Sequence, residues 1–322
     1  MRAASNSSAD IPFLQKASEL VSFFYMRLQG ILHPQDMSCL FTEFEEYNNF
    51  LLRYSNIPLE SAKVLEIGFG ARPLRLIALT GMNIDVCGVD LDMPVLKGTP
   101  REFLEIYRKN GVERALKSLV RFYLFDWVER RYLAKELKKR GKEWIIHKDR
   151  FLVQEAASLE IPDQSLDLIF SEDVFEHIPL SSLEVLLPKM ALWLKPNGLA
   201  LIRPNIFTGI TGEHLAEWFP HTLANKSMSR KSEPWEHLRK NHCRANTYLN
   251  QISRADYRKL FGSCFQILEE RVKETNLGRE FLTPEVLSDL RDYPEDELFS
   301  NQVLFVLRPK KDPVGPPPAI IG

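Results

Sequence analysis

Cysteine is scarce. Four occur in 322 residues, at positions 39, 87, 243 and 264, and none stands in a CxxC pair. A disulfide framework is excluded on that spacing, and a reducing compartment, the cytoplasm, is the expectation. Long hydrophobic runs are also missing. No stretch of about 18 uncharged apolar residues exists, so no transmembrane helix is expected. The polar, serine-rich start, Met1 to Asp10, lacks the apolar core of a signal peptide. Nor does charge of one sign dominate: 42 basic residues meet 43 acidic ones, a formal net charge of −1. That argues against a protein that holds nucleic acid through overall charge. No internal repeat is visible. What remains is an ordinary soluble composition, 44% hydrophobic and 26% charged, in a chain long enough to bury a full core.

Residues 1–60 read as a helical cap of two helices. The first follows Asp10 and ends before Gly30, with Phe13, Ala17, Leu20 and Phe24 at helical spacing. The second starts near Asp36 and carries Leu40, Phe44, Tyr47, Leu51 and Tyr54. Both apolar stripes need a partner surface, either the next domain alone or also the roof of a site.

From Ala62 the pattern changes to strand, glycine turn, helix and strand: KVLEI, GFGARP, a helix over 73–79 stopped by Gly81, then DVCGVD. This is a βαβ unit with a parallel sheet and a right-handed crossover. Residues 93–150 are too long for an ordinary crossover and read as a helical insertion. Strands resume at 150–154, 166–170 and 199–202, with a helix over 182–194 and the Asn197-Gly198 turn between the last two. Residues 205–250 form a polar, histidine-containing substrate loop, and 265–272 and 302–307 read as two more strands. The expected fold over 61–309 is therefore α/β, a Rossmann-like doubly wound sheet, followed by a proline-rich tail at 310–322.

Ligands in such sheets sit beyond the C-terminal strand ends. Four segments fall there. The first is Glu66-Ile-Gly68-Phe-Gly70-Ala-Arg72, whose glycines permit a sharp turn and a close backbone approach. The second is Asp90, an acid at the spacing from which ribose hydroxyls are held. The third is Phe151 to Ala157, and the fourth runs from Asp167 through Ser171 to Glu176-His177. Together these four resemble the class I S-adenosylmethionine-dependent methyltransferases, and most nearly the broad type 11 group. A dinucleotide-binding redox enzyme shares the glycine turn and the ribose acid, but its third glycine position is Pro73 here and it does not account for the last two segments.

The resemblance spans about residues 61–204 and implies specific roles. Glu66, Gly68 and Gly70 would surround the methionine part of S-adenosylmethionine. Asp90 would hold the ribose, and Leu91 would pack on the adenine. Glu155 and the Ala156 N–H would meet the adenine edge, and Ser171 would sit beside the methionine ammonium. The resemblance also implies a sheet of seven strands, the last antiparallel. His177 matches a histidine frequent in the group. It, His214 in the glycine-containing loop Asn205 to His214, and His221 are the candidate catalytic bases, since an imidazole titrates near neutrality.

No set of histidines, cysteines and acids has a tight metal spacing, so no metal is expected. Trp218, Phe219, Trp235 and Tyr248 read as core or pocket lining. The seven basic residues from Arg130 to Lys142, against the one acid Glu136, read as a solvated face or an anion platform. The expected acceptor is a small molecule or a glycan- or lipid-linked group. Two alternatives stand beside it: a protein side-chain methyltransferase, and a non-catalytic binding module on the same fold.

Overall fold

The computed structural model describes residues 37–223, 230–245 and 247–310. The expected first cap helix and the proline-rich tail lie outside them.

Seven strands form one sheet: β1 (Lys63–Ile67), β2 (Asp85–Asp90), β3 (Phe151–Val153), β4 (Leu166–Glu172), β5 (Leu194–Arg203), β6 (Phe265–Val272) and β7 (Val303–Pro309). Their spatial order is β3-β2-β1-β4-β5-β7-β6. The first five run parallel, and β7 pairs antiparallel with both β5 and β6. The order reverses between β1 and β4, which puts the switch point at the glycine turn after β1.

The two-residue period of the strands sorts the core into two faces. Val64, Leu168, Phe170, Leu199, Leu201 and Val306 belong to one cluster. Leu65, Ile67, Ile169, Ala200, Ile202 and Phe305 belong to the other. Both sides must therefore be covered by helices. On the first face lie α1 (Ser38–Ser55), through Phe41, Phe44, Tyr47 and Leu51, and α2 (Leu74–Gly81), through Leu76 to Leu79.

The helical insertion comes next, with α3 (Pro100–Arg121) and α4 (Trp127–Lys139) joined by a π-helical turn, Phe122–Asp126. Thr99 and Glu102 form a reciprocal cap at the start of α3, and Gly111, at φ 85°, breaks its helical backbone. Leu133 and Leu137 of α4 join the first cluster. On the second face lie α5 (Leu180–Trp193) and α6 (Arg254–Cys264).

Three expectations are corrected. The strand expected at 199–202 begins at Leu194, because Leu194 already pairs with Leu166. Asn197-Gly198 therefore lies inside β5, beside a register shift, and not in a turn before it. The helix expected over 182–194 runs from Leu180 to Trp193.

The third concerns the region after β5, which is more than a loop. Ile210, Trp218, Leu223 and Trp235 share a core cluster with Val286, Leu290, Leu298 and Phe299, so the β6–β7 connection completes it. Trp218 and Trp235 are core residues of this lobe, at 3% and 1% exposure.

Cys87, Cys243 and Cys264 are in no disulfide. Among the described residues, no helix is long and apolar enough to cross a membrane.

Candidate functional site

Glu66, one residue before the end of β1, is buried, at 1% exposure. Gly68 follows at φ 84°, and its N–H donates to the Val89 carbonyl at 2.8 Å. A Cβ at Gly68 would stand 2.2 Å from a methyl of Val174, so only glycine fits there. Gly70, at φ 69°, differs: a Cβ there would meet nothing within 4 Å, which leaves open space in front of the turn.

Asp90 ends β2 beside this space. Its carboxylate accepts the N–H of Gly70 at 2.7 Å and that of Asp92 at 2.7 Å. Burial still raises its pKa above the usual carboxylate value. Leu91, the next residue, is 68% exposed, an apolar side chain with no cover at the rim of the site.

Behind the turn lies a charge network that the sequence reading missed. Arg75 of α2 pairs with Glu43 of α1 at 3.0 Å and reaches Glu66 at 3.5 Å. Arg203, ending β5, pairs with Glu46 at 2.7 Å and with Glu172 at 3.1 Å. Tyr47 of α1 donates its hydroxyl to Glu172 at 2.8 Å, while its ring lies 4.9 Å from that of Phe170. So α1 does reach the site, through Glu43, Glu46 and Tyr47. Arg271 also reaches Glu46 at 3.4 Å, so four carboxylates face three guanidiniums, an excess of negative charge. Burial, reinforced by Asp90 and Glu172, pushes Glu66 up to about 7 against the pull of Arg75, and its Oε2 has no hydrogen-bond partner.

Arg72, two residues past Gly70, is bound by the insertion. Its guanidinium pairs with both oxygens of Glu129 on α4, each at 2.8 Å. The basic run is likewise partly structural. Arg130 donates to the carbonyls of Val95 and Leu96, and Arg140 covers the Phe41 ring at 3.8 Å.

Glu155 is exposed after β3, within 3.3 Å of the Ser182 hydroxyl. Ala156 opens a short 3₁₀ turn at the same strand end. The Ser171 side chain is buried and donates to the Ile67 carbonyl at 2.8 Å, which ties β4 to β1.

A second cleft, of about 330 Å³, opens at the ends of β4 and β5. Its lining includes Asp173, His177, Asn205, His214, Phe219 and Lys273. Two of the three candidate histidines, His177 and His214, meet here, with ring centroids 5.0 Å apart. Nδ1 of His177 lies 2.9 Å from the Tyr248 carbonyl. His214, at φ 58°, is pushed down to about 4 by burial and by His177, so it is neutral at pH 7. Glu176, which the sequence reading did not single out, is buried beside them. Burial and the neighbouring Asp173 raise its pKa well above the usual range. Its place next to His177 in the SEDVFEHIP segment was the available signal.

His237 and Glu217 are engaged elsewhere in the lobe after β5. His237 Nε2 is 2.8 Å from the Phe207 carbonyl, and Glu217 accepts the N–H groups of Lys231 and Ser232. The side chain of His221 lies outside the described residues.

The glycine turn adjoins the second cleft. Val174 packs on Gly68, while Asp173 before it and His177 after it line the second cleft. Such an arrangement can hold one ligand at the glycine turn and present a second to it across the end of β4.

A sequence profile of the methyltransferase domain matches residues 41–262. No curated protein matches the chain. Among solved structures, it is similar to the 1,6-didemethyltoxoflavin-N1-methyltransferase of Burkholderia thailandensis, at 12% identity and a TM-score of 0.41, covering 94% of this chain and 91% of that one. It is also similar to the geranyl diphosphate C-methyltransferase of Streptomyces coelicolor, at 12% identity and a TM-score of 0.39, covering 82% and 75%. Likenesses this distant carry no conclusion about substrate.

Proposed function

The chain belongs to the methyltransferase-domain family, the class I S-adenosylmethionine-dependent kind, and we propose that it methylates a small-molecule, glycan- or lipid-linked acceptor held in the cleft past β4 and β5. The observation that carries this reading is the adjacency of the two sites through Val174.

The residues at the glycine turn suit the cofactor. Gly70 leaves room for it, Asp90 offers a carboxylate for the ribose hydroxyls, and Leu91 offers an uncovered apolar side chain for the adenine. Glu66 Oε2 is a buried acceptor without a donor, and the carboxylate excess around it favours a ligand that brings positive charge, as a sulfonium and an ammonium do. When bound, the cofactor supplies an activated methyl on a sulfonium.

The protein's own share is positioning and exclusion of water, which can lower a barrier by roughly 7–11 kcal/mol. The second cleft supplies polar groups to orient an acceptor: Asn205, Lys273 and the neutral His214. The insertion beside the turn carries exposed Tyr107, Leu116, Tyr123 and Trp127 among its basic residues, a surface that suits an acceptor with an apolar tail. A folded protein substrate is the second outcome of the same trial.

The test is calorimetric titration with S-adenosylmethionine and S-adenosylhomocysteine, with NAD as control, followed by methyl-transfer assays on acceptor sets. Micromolar binding of the sulfur ligands with none of NAD is expected. No binding of any of them would leave a non-catalytic module.

A further inference from the structure

Three side chains in the second cleft converge in a way that acceptor positioning alone does not explain. Glu176 and His177 sit on the short turn Phe175–His177 past β4, and His214 arrives from the lobe after β5. One ligand atom from each lies within 4.8 Å of the others, and His214 Nε2 is 3.7 Å from Glu176 Oε1. Glu176 Oε2 and His214 Nε2 are both buried without a hydrogen-bond partner. Buried polar atoms are seldom left so, and here two are left side by side.

Their surroundings orient them. The Tyr248 carbonyl can only accept, so it fixes the proton of His177 on Nδ1 and leaves the Nε2 lone pair available. Asn205 donates to Glu176 Oε1 at 2.8 Å and to Asp173 Oδ1 at 2.9 Å, which steadies one carboxylate oxygen and leaves the other open. A histidine N–H given to a carbonyl, and a carboxylate held from behind, are the outer contacts that metal ligands keep. Among the described residues, the ion-pair neighbour of Glu176 is His214 rather than a lysine or arginine. The other charged side chains facing the cleft are Asp173, Lys273 and Glu274.

We propose that Glu176, His177 and His214 form a binding site for one divalent transition-metal ion, with its open coordination positions facing the cleft. Two imidazoles and one carboxylate favour a first-row transition metal of the zinc class over magnesium or calcium. Ligands about 2.0–2.2 Å from a tetrahedral ion stand roughly 3.3–3.6 Å from each other; here the three ligand atoms lie within 4.8 Å of one another, and side-chain rotation covers the rest. Three protein ligands leave a position for water or for an acceptor oxygen, whose proton the ion would make easier to remove. The site differs from the reading of the sequence, which expected no metal, and it does not depend on the methyl-transfer proposal.

Metal-stripped protein is titrated with Co²⁺ and followed by visible absorption, with Zn²⁺ calorimetry in parallel. One equivalent with d–d bands is expected. His214→Gly, which keeps the positive φ available, should weaken Co²⁺ binding by at least about tenfold, and Asn205→Ala by about 10–100-fold. Circular dichroism and S-adenosylhomocysteine affinity of His214→Gly should match the wild type, which separates loss of the ion from loss of the fold. Should that variant not fold, His177→Ala takes its place. Absence of d–d bands in the wild type, or equal Co²⁺ affinity in wild type and variant, overturns the proposal, whatever the cofactor titration shows.

Discussion

The two ends of the cleft are built differently. The glycine-turn end is made from residues close in sequence to three strand ends: Glu66 to Gly70, Asp90 and Leu91, with Val174 behind. Its hydrogen bonds are local to the turn and the next strand, as between Gly70 and Asp90. The other end gathers Glu176 and His177 past β4, Asn205 past β5, His214 from the lobe and Lys273 past β6. The first is a backbone device, and backbone conformation is written in glycines. The second is a side-chain device, and it exists only when distant elements pack.

Substitutions can break this contrast. The largest effect is expected at Gly68→Ala, where a Cβ meets Val174 at 2.2 Å on a positive-φ backbone. It should cost about 2–4 kcal/mol of stability and abolish S-adenosylhomocysteine binding, measured by denaturant melts and calorimetry. Gly70→Ala, with open space around it, should cost only about 1–2 kcal/mol. Equal losses at the two positions would remove the distinction.

At the other end, His177→Ala should leave cofactor affinity unchanged and lower turnover about 100-fold once an acceptor is known. Asp90→Ala should do the reverse, weakening S-adenosylhomocysteine about 10–100-fold, because two N–H groups and the ribose lose a charged acceptor.

The pH dependence sharpens the comparison further. Glu66 titrates at about 7 in the folded protein, against 4.5 for the free side chain. The folded state therefore holds this proton where the unfolded chain has lost it. Stability from this group falls as pH rises between about 4.5 and 7, by up to about 1.4 kcal/mol per unit. Glu66→Gln should flatten that slope relative to wild type in melts across the window. Cofactor affinity in the wild type should rise over the same range, as the carboxylate ionises, and in Glu66→Gln it should not. The smallest effect is expected at Arg72→Ala. Its pair with Glu129 is about a quarter exposed, so the cost should stay below about 1 kcal/mol with cofactor binding kept.

The legibility of the molecule follows the same division. The sheet was readable because β1 to β4 and β7 are short, mostly apolar runs, and its seven strands with β7 antiparallel agree with what the family resemblance implied. The start of β5 was misjudged because Lys195-Pro-Asn-Gly has turn chemistry, yet Leu194 is held by its partner Leu166. Arg72 closes the glycine segment in sequence, but nothing local revealed that Glu129, on a helix of the insertion, would claim it. Ser171 was placed at the right strand end, but its rotamer sends the hydroxyl to Ile67. Glu176 passed unnoticed because its meaning depends on burial and on His214, which reaches it from a separate lobe.

By itself, then, the order of residues determined the alternation of strands and helices, the glycine turn and the acid that ends β2, because period, φ and strand ends are local properties. Only the tertiary structure decided which charges are neutralised, which carboxylates keep their protons and which histidines meet. Those depend on distance and desolvation between groups that the chain brings together only when its two faces of core close.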